Sequence, residues 1–321
     1  MSVETFSQAF AAIRAQINRV LLGQEEVVDQ VLLAIFARGH VLIEGVPGLG
    51  KTLLVRTLGR VLGCEFKRIQ FTPDLMPSDV TGGNVFNQKE NAFVFLPGPV
   101  FTQLLLADEI NRAPAKTQSA LLEAMQDRSV TVDGATRALP RPFFTIATQN
   151  PVESQGTYPL PEAQLDRFLM KINVEHPSRA VEKAILNNYV RGFDAADLDS
   201  AGVEQVCSAE QLIALADMCR EVTVEDGILD YITDIVGRTR SQRAIYLGAS
   251  PRASIALLTS SRVKAMSEGR AYVVPDDIKS LAPAILRHRL VLHPDAEIEG
   301  VSADDCVAAI LREAPVPQTA A

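Results

Sequence analysis

Apolar residues recur at helical spacing over residues 4–22, at Phe6, Phe10, Ile13, Ile17, Val20 and Leu21, and predict an amphipathic helix. Gly23 interrupts the pattern, and a second helical stretch runs from about Glu25 to Ala37. The period then changes. His40-Val41-Leu42-Ile43-Glu44 reads as a short buried strand, and a glycine-rich turn leads from it into a helix from Thr52 to about Leu62. Further buried strands are expected at 66–71, 102–107, 143–148 and 168–174. Strands separated by helices predict a parallel α/β sheet in three layers. Two hairpins interrupt the alternation: one spans about 83–96, and the other runs from Val130 to Arg137 and turns at Asp133-Gly134, a favoured hairpin pair. From about 179 to 311 the pattern is almost wholly helical, with breaks near 191–203, 247–251 and 269–276. Two domains are therefore expected, an α/β unit over 1–178 and an all-helical unit over 179–321.

Composition narrows the class. The 321 residues are 47% apolar and 22% charged, which excludes a disordered chain, a fibre or a small disulfide scaffold. Cys64, Cys207, Cys219 and Cys306 are scattered without a CxxC pair and read as thiols in a reducing compartment; the four histidines show no ligand spacing. Glu4 precedes any basic residue, and the longest charge-free run, Asn91 to Ala107, is broken by Pro97, Gly98 and Pro99. Neither a signal peptide nor a membrane span is expected, and the location implied is cytoplasmic. The net charge of −8 argues against a nucleic-acid coat. That charge is uneven: Asp194 to Asp234 holds eleven acids against one base, while Ile235 to Leu290 holds ten bases against three acids. The acidic strip is either a solvated face or a docking surface for a basic neighbour.

The candidate chemistry begins at Gly45-Val46-Pro47-Gly48-Leu49-Gly50-Lys51-Thr52, with Leu53 behind it, which fits G-x-x-x-x-G-K-S/T in full. Glycines let backbone N–H groups converge on phosphate oxygens, and the following helix N-terminus adds positive charge. Lys51 reaches β- and γ-phosphates in such loops, and Thr52 offers a hydroxyl to Mg²⁺. Leu104-Leu105-Leu106-Ala107-Asp108-Glu109 then delivers two carboxylates at a strand end, Asp108 for Mg²⁺ through water and Glu109 to polarise an attacking water. Asn150, ending the strand Phe143 to Gln149, suits either orientation of that water or a turn cap before Pro151. Arg167 stands just before the last core strand. Arg252 falls in the first turn of a helix opened by the cap Ser250 and by Pro251.

The order of these motifs resembles that of AAA+ ATPases. Four stretches are similar to the MoxR family in wording: Gly45-Val46-Pro47-Gly48, Ala107 to Arg112, Leu121 to Met125 and Pro161 to Phe168. The resemblance spans about residues 5–311 and implies a AAA+ P-loop core with a helical lid. It implies Asn150 as the sensor-1 residue, Arg252 as the sensor-2 residue and Arg167 as an arginine finger acting on a neighbour's ATP, with Arg112 a candidate for the same task. Val20, Leu21, Gly23 and Gln24 would lie against the adenine. The 72–101 region would be the helix-2 insert of this clade, and 130–137 its pre-sensor-1 hairpin. The cofactors implied are ATP and Mg²⁺. The activity implied is ATP hydrolysis by a ring of like subunits, a hexamer, that remodels client proteins in a chaperone-like way beside a von Willebrand factor A domain partner. A motor on nucleic acid or in a metal chelatase is the alternative. The acidic charge and the absence of tryptophan weigh against nucleic acid.

Overall fold

The change from period 3.6 to period 2 and back resolves, in a computed structural model that describes residues 2–46, 48–89, 91–150 and 156–317, into the following order. The chain opens with α1 (Val3–Asn18), α2 (Glu25–Phe36), β1 (Val41–Glu44), α3 (Lys51–Val61), β2 (Phe66–Gln70) and α4 (Pro77–Thr81). The first hairpin is β3 (Gly82–Asn87) with β4 (Ala92–Pro97); β5 (Leu104–Asp108) and α5 (Ala115–Asp127) follow. The second hairpin is β6 (Ser129–Val132) with β7 (Ala135–Ala138), and then come β8 (Phe144–Gln149), α6 (Glu162–Leu165) and β9 (Met170–Asn173). The remainder is α7 (Arg179–Val190), α8 (Ala209–Met218), α9 (Asp226–Thr239), β10 (Ile245–Leu247), α10 (Pro251–Ser267), α11 (Pro275–Leu286), β11 (Val291–Leu292), α12 (Pro294–Ile298) and α13 (Ala303–Glu313).

Each expected core strand lies within two residues of the observed one. The first helix ends at Asn18 rather than near residue 22, and Val20 and Leu21 are buried in the turn beyond it. Region 72–101 holds α4 and the first hairpin. The helical part also carries an antiparallel ribbon, β10 with β11. Strands of three and two residues are too short to show a period, so the pattern does not reveal them.

The parallel sheet has the order β2-β5-β8-β1-β9. Alternation along each strand divides the side chains between two cores. One core takes Val41 and Ile43 of β1, Leu104 and Leu106 of β5, and Phe144 and Ile146 of β8, packed on α1, α2 and α3. The other takes Leu42, Leu105, Ala107 and Ala147, packed on Leu121, Leu122 and Met125 of α5. Three layers follow because both faces of the sheet are apolar. The first core runs on into the helical part through Leu212, Ile235, Leu257 and Ile285, so the lid shares its interior with the sheet.

Polar anchors fix the edge where β1 and β9 begin. Asp166 accepts from Arg289 Nε at 2.8 Å and from Ser250 Oγ at 3.0 Å, joining the start of β9 to the start of α10. The buried Arg289 guanidinium also donates to the carbonyls of Phe168, Leu169 and Ile285. His40, just before β1, accepts from the Thr145 amide at Nδ1 (3.0 Å), which leaves Nε2–H to donate to Met125 O (3.1 Å). That pattern fits the neutral ring. Burial pushes its pKa down from 6.5 to about 4, a shift that the Met125 hydrogen bond partly opposes.

Between about pH 6.5 and 4 the unfolded chain binds a proton at residue 40 that the folded chain does not, so stability present above pH 6.5 is lost as pH falls through this window. Buried His288, also lowered, acts in the same direction. His40→Gln keeps a donor and an acceptor but cannot titrate. In urea unfolding at pH 7 and pH 4.5 it should reduce the acid loss by about 1–3 kcal/mol. An unchanged loss would assign the acid sensitivity to other groups.

Candidate active site

Where β1 ends, Gly45 lies so close to β9 that an added Cβ would stand 2.9 Å from Val174 O. Gly48 and Gly50 take φ of +86° and +78°, a region that favours glycine, and a Cβ at Gly48 would meet nothing within 4 Å. The loop is therefore backed by the sheet and open above, with Gly50 as the N-cap of α3 and Lys51 its first residue. Pro47, read as part of this loop, lies outside the described residues. Lys51 Nζ donates to Gly45 O at 2.5 Å. Burial lowers its pKa, and the carboxylates of Asp108, Glu109 and Glu44 oppose that.

Parallel register brings the next strand ends alongside. Asp108 pairs with Gln70 in register, and Glu44 with Gln149. Asp108 Oδ1 accepts from Thr148 Oγ1 at 2.6 Å, and Oδ2 accepts from Arg68 Nη2 at 2.7 Å and Nε at 3.2 Å. Glu109 adopts a left-handed φ of +56°, and its amide donates to the same Thr148 hydroxyl oxygen at 2.9 Å. Its Oε2 accepts from Gln70 Nε2 at 2.9 Å and from Arg112 Nε at 2.8 Å. Beneath them, Glu44 accepts from Gln149 Nε2 at 2.8 Å and pairs with Lys171.

Lys51, Thr52, Leu53, Asp108, Glu109 and Asn150 line one cavity of about 690 Å³. A smaller apolar slot of about 160 Å³ adjoins it and shares Gly48, Gly50 and Leu53. Val20, Leu21 and Gln24 line this slot, and Gln24 Nε2 donates to Leu49 O at 2.8 Å. Gly23, with φ of +70°, lies behind it against Val181. Val46 continues from β1 into the loop. Tyr189 stands at both openings, edge-on to Phe193 at 5.5 Å.

Arg167 and Arg252 are not brought to this cavity. Leu169 N donates to His40 O at 2.7 Å, which places the segment before β9 at the opposite edge of the sheet from the phosphate loop. Both arginines line a cleft there with Gly39 and His40. Ser250 caps α10 as expected, but the Arg252 guanidinium faces Asp166, at 3.9 Å. The four residues of β1 separate the two edges by about 13 Å. Conversely, groups such as Arg68, Gln70 and Tyr189 line the cavity yet escape sequence reasoning. The first two share one face of β2, and only knowledge that β2 neighbours β5 would have drawn attention to them.

The open cradle at Gly48, a lysine beneath it, a threonine hydroxyl and a strand-end carboxylate form a donor set that suits a nucleoside triphosphate with a divalent cation. The comparisons support the nucleotide. Residues 40–170 match the family model of the ATPase family associated with various cellular activities, and residues 237–310 match the AAA lid domain. The fold is that of a AAA+ ATPase.

The chain is 43% identical to Chaperone MoxR1 of Mycobacterium tuberculosis over 94% of its length and 81% of the relative's. It is 49% identical to the uncharacterized protein YeaC of Bacillus subtilis, covering 94% and 92% of the two chains. The crystal structure of a candidate ATPase from Cytophaga hutchinsonii superposes with a TM-score of 0.90 at 39% identity, covering 98% and 97% of the chains. This chain belongs to the MoxR family of AAA+ ATPases. No helix among its described residues is long and apolar enough to cross a membrane.

Thr148 is buried and serves Asp108 and Glu109 at once. Thr148→Val, nearly equal in shape, strands both partners at a cost of about 1–3 kcal/mol each. Phosphate release should fall by roughly tenfold or more while the far-ultraviolet spectrum stays native. Wild-type turnover in that variant would show that the hydroxyl does not align the carboxylates for the reaction.

Proposed function

We propose that ATP is hydrolysed at the junction between two copies of the chain, with residues 1–178 of one copy as the catalytic unit and 179–321 as its lid. The observation that carries this reading is the placement of Arg167 and Arg252 at the sheet edge opposite the phosphate loop. Arginines about 13 Å of strand away cannot reach the phosphates held by their own Lys51. They can meet those of a neighbour whose loop faces that edge, and repetition of a head-to-tail contact closes a ring. The Arg167 side chain has no ion pair or hydrogen bond among the described residues, whereas Arg112 is tied to Glu109 of its own chain. The contrast favours Arg167 as the finger.

In this mechanism, the amides of the 45–52 loop and Lys51 hold the β- and γ-phosphates. Thr52 and Asp108 would hold Mg²⁺, which supplies neutralisation of the phosphate charge, and Arg68 must then yield the Asp108 oxygen it occupies. Glu109, placed by its strained backbone and the Thr148 hydroxyl, takes a proton from the attacking water, and Asn150 orients that water. The bond to the ADP oxygen breaks as water joins the γ-phosphorus. Gln70 and Arg112 restrain Glu109 until the site is filled. The apolar slot at Val20, Leu21 and Tyr189 takes the base.

The work done with that energy is remodelling of client proteins, as the name of the mycobacterial relative suggests, with a von Willebrand factor A domain protein as partner. The first hairpin supports a role in gripping clients. Phe86 and Phe93 stack edge-to-face at 5.4 Å, and Phe93 is 72% exposed. Asn84 donates to Asp133 and Arg137 stacks on Phe95 at 3.9 Å, so the two hairpins are in contact with each other.

Glu109→Gln should bind ATP with near wild-type affinity and turn it over at least about 10²-fold more slowly. Rapid hydrolysis would remove Glu109 from the role of base. Lys51→Ala and Arg167→Ala should each be nearly inactive alone, since a finger is worth about 10³–10⁵ in turnover. Mixed in equal amounts they should regain activity, because some junctions then pair an intact loop with an intact finger. A mixture as inactive as its parts would refute the shared site.

A further inference from the structure

A second cavity, of about 340 Å³, lies at the sheet edge opposite the phosphate loop, between the last turn of α2 and α8. Its floor is apolar and buried, built from Leu62, Leu104, Phe144 and Leu212. Its rim carries four guanidinium groups, those of Arg38, Arg128, Arg141 and Arg220. An interior floor beneath charged walls is the common make-up of small-molecule sites, and the volume lies at the lower end of their range.

The rim is short of negative charge. Asp217 is the carboxylate the arginines share, 2.8 Å from Arg38 and 3.6 Å from Arg220. Among the described residues neither Arg128 nor Arg141 has an ion pair. The Arg128 guanidinium instead meets Arg38 O at 3.5 Å. Glu210, whose charge reaches Cys64 in the cavity wall, is already hydrogen-bonded to Ser208. Even with both acids counted, the mouth keeps two uncompensated positive charges. Burial, and then the neighbouring charges of Arg38, Arg141 and Arg220, draw the Arg128 pKa below its ordinary value. Like charges held together over a low-dielectric floor repel, and an anion placed among them relieves that repulsion. Guanidinium forks match carboxylate and phosphate oxygens in pairs.

We propose that this cavity binds an organic anion, an apolar chain or ring system that fills the floor and carries a carboxylate or phosphate clamped by Arg128 and Arg141. The site is separate from the nucleotide cavity, which lies beyond the other end of the strands. Its occupant is a small molecule because the apolar floor lies within a cavity of about 340 Å³, inside the range of small-molecule sites.

The test uses the full chain with saturating ADP and the probe 1-anilinonaphthalene-8-sulfonate, two aromatic units bearing one sulfonate. We expect one fluorescent site per chain that ADP does not displace. N-phenyl-1-naphthylamine, the same rings without the charge, should bind at least tenfold more weakly. Arg128→Gln with Arg141→Gln should weaken the sulfonate probe tenfold or more, while Phe86→Ser with Phe93→Ser on the exposed hairpin should leave it unchanged. Decanoate and decyl phosphate should each compete, and the stronger competitor identifies the preferred head group. Displacement by ADP, equal binding of the neutral probe, wild-type binding by the double arginine variant or failure of both competitors would overturn the assignment. A loss of probe binding accompanied by a changed sedimentation coefficient would overturn it too, since the arginines would then serve contacts between copies.

Discussion

The rest of the molecule depends on β1, a four-residue strand hydrogen-bonded on both sides and apolar on both faces. Its neighbours on either side are held in a fixed parallel register, Val41 with Ile146 and with Met170. A slip of one residue would exchange the two cores, because Leu42 faces one and Val41 and Ile43 the other. Register therefore fixes chemistry at both ends of the strand. At one end Gln149, level with Glu44 on β8, and Lys171, two positions back on β9, both reach the Glu44 carboxylate beneath the phosphate loop. At the other, His40 ties β8 and α5 to the strand's start through a ring that must stay neutral to do so.

Electrostatics at the loop end follow from that geometry. Two acidic side chains emerge side by side from β5, and each is held by an arginine from a neighbouring segment: Arg68 on Asp108, Arg112 on Glu109. These ion pairs are partly exposed, so they contribute little to stability. Their effect is orientational. They direct both carboxylates toward the cavity that also holds Lys51, and in the proposed mechanism the Arg68 contact is exchanged for a new partner when the site is filled. Arg56, which donates to Ala195 O and Ala196 O at 3.2 and 3.0 Å, holds the chain after α7 against the same opening.

Local features were legible in the sequence and pairings between distant segments were not. The glycine loop, the Asp108-Glu109 strand end, the Asp133-Gly134 turn and the Ser250-Pro251 helix start each have a signature within about eight residues, because backbone sterics and capping act locally. Arg68 and Gln70 look like ordinary exposed strand positions until β2 is known to lie beside β5. Ser250 correctly announces the helix that carries Arg252, yet nothing near it reveals which edge of the sheet that helix abuts; Asp166, 84 residues earlier, decides that. The ribbon of β10 and β11 escapes for the same reason, since its strands are stabilised by each other rather than by their own period.

The charge segregation along the chain also changes meaning once the segments are placed. The strip from Asp194 to Asp234, read as a solvated face or a docking surface, contributes three acids to ion pairs among the described residues. Asp199 pairs with Arg60 of α3, Asp217 with Arg38 beyond α2, and Asp234 with Arg238 one turn along α9. The first two cross from the helical part to the sheet unit. At exposures of 49–74% for those two acids they are worth at most about 1 kcal/mol each, far less than the shared apolar core they border. Burial fixes how firmly the lid is attached, and the ion pairs help fix its rotation about that attachment. An acid on the lid that chooses among arginines of the sheet unit sets which guanidinium groups remain uncompensated. Asp217 satisfies Arg38 and leaves Arg128 and Arg141 with their charge exposed at the same edge as Arg167. The acidic strip and the basic edge are therefore two sides of one arrangement, in which partial neutralisation within a chain leaves positive charge displayed outward.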